Sequence, residues 1–299
     1  MRWDDLRASD NIEDRRGGDG GGGGSFGGMG GGGGLGIGAM MVLGVIGWAL
    51  GINPAILIGG AQMVTQRQSA PPAQTRPAQT GSPTDDIGRF VAKILGETED
   101  VWSELLPAQA NRPYKAPRLV LFSGSTRSEC GAANASMGPF YCPVDQKVYL
   151  DTSFFNDMKR RFGGGGDFAY AYVIAHEVGH HIENLLGILP KVQQAQRRAG
   201  SKAEANDLSV RVELMADCLS GVWAARMNQR HSNITEADVR QAVAAATAIG
   251  DDRLQKQSQG YAVPDSFTHG SSEQRVRWLM TGLKSGDLRT CNTFQAKRL

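Results

Sequence analysis

Two short runs of residues have types and spacings that could do chemistry. The first is His176-Glu177-Val178-Gly179-His180. On a helix, residues i and i+4 share a face one turn apart. His176 and His180 so placed can aim both imidazoles at one cation, and tetrahedral Zn²⁺ favours such nitrogen donors. Glu177 lies one helical step from His176. There it can reach a water molecule beside that cation and take its proton. A helix with two surface histidines would satisfy this run alone, so a third ligand has to be found. Glu213-Leu214-Met215-Ala216-Asp217 supplies one. Glu213 and Asp217 again share a helix face. Glu213 can complete the ligand set, and Asp217 can accept the second N–H of a zinc histidine and fix its tautomer. Leu214, Met215, Ala216, Leu219, Val222 and Trp223 around them are apolar. An acidic pair in such company points to a site rather than to a solvated helix face.

The elements that must position these runs read as mostly helical. Asp167 can cap a long helix reaching to about Leu186, which carries the first run. A shorter helix over Thr152–Phe162 is broken before it by Gly163–Gly166. Ala203–Arg230 is the long helix of the second run, with a short helix over Pro190–Ala199 between them. Thr235–Gln257 follows, and Ser271–Leu283 closes the series behind Ser271-x-x-Gln274, which has the form of a capping box. Ile87, Phe90, Val91, Ile94 and Leu95, then Trp102, Leu105 and Leu106, recur at helical spacing. Arg118–Phe122 and Pro139–Leu150 read as strands, with a turn at Pro143–Gln146. An edge strand in the second region could pair with an extended peptide; a core hairpin is the alternative. The fold class is α+β, mainly helical with a small β-sheet.

The N-terminal part reads differently. Glycine makes up 40 of the 299 residues, and 16 of those 40 fall within residues 17–38. Residues 1–34 are expected to form a flexible arm with little to bury. No charged residue occurs between Asp19 and Arg67, and Leu35–Ile52 is wholly apolar or glycine. Residues 35–61 therefore read as a single transmembrane helix, preferred over a buried core helix or a cleaved signal peptide. Four arginines precede it and only Arg67 and Arg76 follow closely. This places the N-terminus inside the inner membrane and the rest of the chain on its extracytoplasmic side. Residues 62–84 form a Pro-rich linker, and residues 85–299 the remaining domain.

Lys and Arg total 32 against 30 Asp and Glu, a net charge of +2. No basic surplus asks for a nucleic-acid partner. The four cysteines, Cys130, Cys142, Cys218 and Cys291, contain no C-x-x-C, so thiolate zinc ligation is not expected. An even count in an exported domain suggests two disulfides. Cys130–Cys142 closes a short local loop and Cys218–Cys291 ties the C-terminal tail to a site helix, so these pairings are preferred over the two others; four buried thiols are the alternative. His181 points away from the His176/His180 face and suits a supporting role. His231 and Glu183 are expected to be solvated.

Together the two runs resemble the gluzincin zinc peptidases, which share H-E-x-x-H and a downstream E-x-x-x-D. More closely, Gly138–Asp151, Ala175–Glu183, Glu213–Leu219 and His269–Trp278 resemble the bacterial neutral zinc metallopeptidase family. The resemblance implies a zincin-like domain, one Zn²⁺ per chain held by His176, His180 and Glu213, and Glu177 as catalytic base. It implies a peptide or protein substrate whose peptide bonds are hydrolysed. Thr268–Arg275 is similar to a T-H-P-P-x-E-x-R segment of membrane zinc peptidases, with Gly270-Ser271 in place of the prolines. His269 is thereby a candidate donor to the oxyanion; a structural contact at a helix start is the competing role. The alternative function is a non-catalytic zinc-containing binding or chaperone-like module at the membrane, which would have no use for Glu177.

Overall fold

The sheet is built on strands that alternate strictly between two covered faces. A computed structural model describes residues 1–16, 79–81, 83–161 and 165–299. In β3 (Arg118–Phe122), Leu119 and Leu121 join the main core while Val120 and Phe122 join a smaller one on the opposite face. In β7 (Lys147–Asp151), Val148 and Leu150 face the main core and Tyr149 the smaller. This is the period-two pattern of a strand buried on both sides. β3 and β7 pair in parallel, Leu119 opposite Val148. β6 (Phe140–Cys142) adds antiparallel to β7 and forms one edge of the sheet; with β1 (Ile12–Asp14) and β2 (Gln79–Thr80) the order is β2-β1-β3-β7-β6. The hairpin of β4 (Ser125–Ser128) and β5 (Gly131–Asn134), absent from the sequence reading, covers the smaller core through Ala133.

Helices pack on the other face. α1 (Asp86–Ala110) runs unbroken through both apolar clusters expected there and is capped by Asp85. α2 (Ser153–Arg161) and α3 (Asp167–Leu185) follow, then α4 (Ile188–Gln196) and α5 (Lys202–His231). Asp167 is the first residue of α3 rather than its cap; its carboxylate accepts from the Trp3 indole at 2.9 Å. The expected helix over Thr235–Gln257 is two, α6 (Glu236–Ala248) and α7 (Asp251–Gln259). The chain breaks at Gly250, where a side chain would collide with the Ser272 backbone. α8 (Ser272–Ser285) carries the expected capping box. The disulfides are Cys130–Cys142, which ties the β4–β5 turn to edge strand β6, and Cys218–Cys291, which ties the C-terminal tail to α5.

The N-terminal expectations need correction. Residues 1–16 are not a free arm. β1 (Ile12–Asp14) is an inner strand of the sheet, antiparallel to β2 (Gln79–Thr80) and parallel to β3. Leu6 and Ile12 are buried in the main core. Arg7 bonds Glu99 and Asp100 of α1, and Gly96 lacks a side chain where the Arg7 carbonyl passes. Two apolar residues and a set of ion pairs, too sparse to fold alone, are sufficient when the rest of the domain supplies the partners. Among the described residues no helix is long and apolar enough to cross a membrane. The expected span 35–61 lies outside the described residues. Its expected single-pass role fails on the pairings around it. β1 hydrogen-bonds to β2 and β3 at once, so residues 12–14 and 79–122 lie on one side of any membrane. A single crossing between them would place adjacent strands on opposite sides. The expectation of an N-terminus inside and a domain outside is therefore overturned.

Candidate metal centre

The site forms where α3 crosses α5. α3 is buried along most of its length, from Phe168 to Glu183. Gly179, inside the first run, faces Ala216, inside the second; a side chain at Gly179 would sit 3.1 Å from the Ala216 Cα and carbonyl oxygen. Both helices carry their chemistry at offsets i and i+4 and a small residue at i+3, so the backbones approach and the side chains meet. His176 Nε2 lies 3.3 Å and His180 Nε2 3.5 Å from the two oxygens of Glu213. The three donors sit within 4.8 Å of one another and all three residues are buried.

The other imidazole nitrogens are fixed by carboxylates. His176 Nδ1 donates to Asp217 at 2.9 Å and His180 Nδ1 to Glu183 at 2.8 Å. With Nδ1–H so engaged, each Nε2 lone pair faces the space beside Glu213. Asp217 is itself clamped: Arg275 donates to both its oxygens at 3.0 Å, and the Tyr172 hydroxyl donates at 2.5 Å.

Electrostatically the site calls for positive charge. Burial alone would lower the His176 pKa, but Asp217 and Glu213 outweigh it and hold the group at about 9. Burial opposes the charged form of His180 too, and Glu183 and Glu213 still raise it well above the usual histidine value. Glu213 would be pushed up by burial, yet His180, His269 and His176 hold it well below the usual carboxylate range. Burial raises Glu177, against the attraction of the two imidazoles. Two nitrogen lone pairs and a carboxylate converging in a buried, net-anionic pocket fit a divalent cation such as zinc, for which protons on the imidazoles would compete.

Glu177 is buried beside the triad. His269 is brought to the same place, close enough for Glu213 to raise its pKa. Asp251, at the start of α7, holds it: one carboxylate oxygen accepts from the backbone N–H of Thr268, His269 and Gly270, and the other lies 3.2 Å from His269 Nδ1. His181 anchors α3 to the sheet through Tyr141 and to the Lys115 carbonyl. His231 pairs with buried Glu97 at 3.0 Å instead of being merely solvated, and Glu183 is fully buried instead of lying on an outer face. The sequence reading missed Tyr172, Glu183, Asp251 and Arg275. Tyr172 is four residues before His176 and Glu183 three after His180, so the helical period carried a signal for both. Asp251 and Arg275 reach the site only through the tertiary fold.

Comparison with known proteins agrees with this arrangement. The chain is 48% identical over 295 residues to the Escherichia coli K12 protein called "Uncharacterized protein YpfJ", covering 98% of this chain and 99% of that one. It is 41% identical over 265 residues to the Mycobacterium tuberculosis H37Rv protein called "Uncharacterized protein Rv2575", covering 84% and 85% respectively. No solved structure matches. The family described as "Putative neutral zinc metallopeptidase" matches residues 1–294, a span that takes in β1 as well as the histidine–glutamate triad, and the chain belongs to that family.

Proposed function

We propose that this protein is a zinc-dependent peptidase that hydrolyses peptide bonds of proteins or peptides. The observation that carries this reading is the convergence of His176, His180 and Glu213 with Glu177 buried beside them. His176, His180 and Glu213 would hold one Zn²⁺, which when bound supplies Lewis acidity toward a substrate carbonyl and lowers the pKa of water toward ~7. Glu177 takes the proton of the attacking water and delivers it to the leaving amine. Its burial raises its proton affinity toward that task. His269, oriented by Asp251 through Nδ1, offers its other nitrogen as a donor to the developing oxyanion. Edge strand β6 lies against α3, with the Tyr141 hydroxyl bonded to His181. Its outer edge suits an extended peptide added in β-fashion.

The test is Glu177→Gln in the full chain, assayed against a peptide library with and without a zinc chelator. The variant should retain zinc and lose turnover by at least ~100-fold, the scale of a general base. Cleavage unchanged from the wild type would refute the role given to Glu177.

A further inference from the structure

Glu183 is a carboxylate that the proposed reaction does not use. It is fully buried on α3. Its Oε2 accepts from His180 Nδ1 at 2.8 Å. Its Oε1 is buried with no hydrogen-bond partner, and no Lys or Arg among the described residues pairs with it. A buried polar atom left unsatisfied is destabilising, the more so when it is charged. A carboxylate serving the fold would instead bridge elements and satisfy both oxygens. Asp217 does so, joining α3, α5 and α8 through Tyr172, His176 and Arg275. Glu183 joins nothing but two successive turns of its own helix. The two imidazoles are therefore backed by unlike carboxylates, one neutralised by a guanidinium and one facing only its histidine.

We infer that Glu183 is the positioning residue of His180, holding its ring with Nε2 toward Glu213 and lending it the negative charge that makes it a strong donor to a divalent cation. This rests on the reading of His176, His180 and Glu213 as a zinc site. Carboxylates behind metal-ligating histidines set ring orientation and ligand basicity. The i,i+3 placement sets both on one helix face, without help from tertiary packing.

The experiment measures zinc dissociation constants by competition with a chromophoric chelator, and the thermal midpoint of the metal-free full chain. The wild type, Glu183→Gln and Glu183→Met are compared. Glu183→Met should weaken zinc about 10–100-fold; it removes the unsatisfied oxygen but leaves the His180 Nδ1–H without its acceptor, so a modest fall in the metal-free midpoint accompanies that loss. Glu183→Gln keeps an acceptor for Nδ1 but not the charge, and should fall between. Where the Met variant fails to fold, Glu183→Gln decides: zinc weakened more than roughly threefold at an unchanged midpoint sustains the assignment, and a smaller change overturns it. A lowered midpoint with zinc affinity unchanged would show a structural residue instead. A wild-type chain that binds no zinc is a different result, and it removes the site reading itself.

Discussion

The Arg275–Asp217 pair offers the sharpest energetic test of how the site is held. Arg275→Met keeps most of the aliphatic volume and removes the guanidinium. Asp217 is completely buried and Arg275 is 3% exposed, so water cannot replace the two 3.0 Å hydrogen bonds that are lost. Breaking one side of a buried pair costs about 3–5 kcal/mol because the remaining charge is stranded. The Tyr172 hydroxyl and His176 Nδ1 still donate to Asp217, which places the expected loss near the lower end, ~3 kcal/mol. At roughly 2–4 °C per kcal/mol for a domain of this size, the midpoint should fall by about 6–12 °C. The assay is denaturant and thermal unfolding of the metal-free chain, followed by circular dichroism. Asp217→Asn and the double variant complete a cycle. If the stranded charge causes the loss, the double variant recovers much of it, with a coupling of about 2–3 kcal/mol. A loss below ~1 kcal/mol, the scale of an exposed pair, or additive single effects, would refute a buried, coupled clamp.

Two further outcomes follow from the same structure. Burial lowers the His181 pKa to about 4, against the Lys115 carbonyl, which accepts from Nε2–H and favours the charged form. The unfolded chain protonates this group near ~6.5 and the folded one does not, so stability is fully present above that pH and is lost as pH falls toward 4. The contribution is about 3 kcal/mol; His181→Gln should flatten the decline in unfolding free energy between pH 7 and 4.5, and an unchanged slope would count against it. The two disulfides span sequence separations of 73 and 12 residues. On loop entropy, removing Cys218–Cys291 should cost ~4 kcal/mol and removing Cys130–Cys142 ~3 kcal/mol. Paired Cys→Ala variants measured in denaturant check the order, and a larger loss from the shorter loop would contradict the entropic account.

What was legible in the sequence was whatever the helical period encodes. Two runs with donors at i and i+4 identified the metal triad, and Asp217 fell behind His176 as the spacing required. The same rule applied one turn further would have found Tyr172 and Glu183. They were passed over because a buried glutamate at the end of a helix resembles a solvated one when only its neighbours in sequence are known. β1 was illegible for a different reason. Ile12–Asp14 has one core residue, and its stability comes from β3 beside it. Nothing within residues 1–16 reveals that contact, so local composition gave an arm where the fold has an inner strand. The transmembrane reading failed on the same point: hydropathy cannot report that the two flanks of an apolar stretch are paired to each other.

Glycine has a different use inside the folded domain. The motif letters that carry no chemistry are the positions that set distance. Gly179 and Ala216 bring α3 and α5 together between the histidines and Glu213. Farther along α5, Gly221 lies against the Leu279 carbonyl of α8, and Gly282 of α8 against the Cys218 carbonyl of α5. A side chain at either would overlap the opposing backbone. These contacts bring α8 close enough for Arg275 to reach Asp217. Close backbone approach without a Cβ is what glycine permits, at a cost in helix propensity of about 1 kcal/mol per residue relative to alanine. Three such residues in the interiors of α3, α5 and α8 would be unfavourable in isolated helices. Here they let the 3.3 and 3.5 Å contacts of Glu213 be fixed by backbone packing rather than by flexible side-chain reach. In a site held in this way, helix packing itself brings the three donors together.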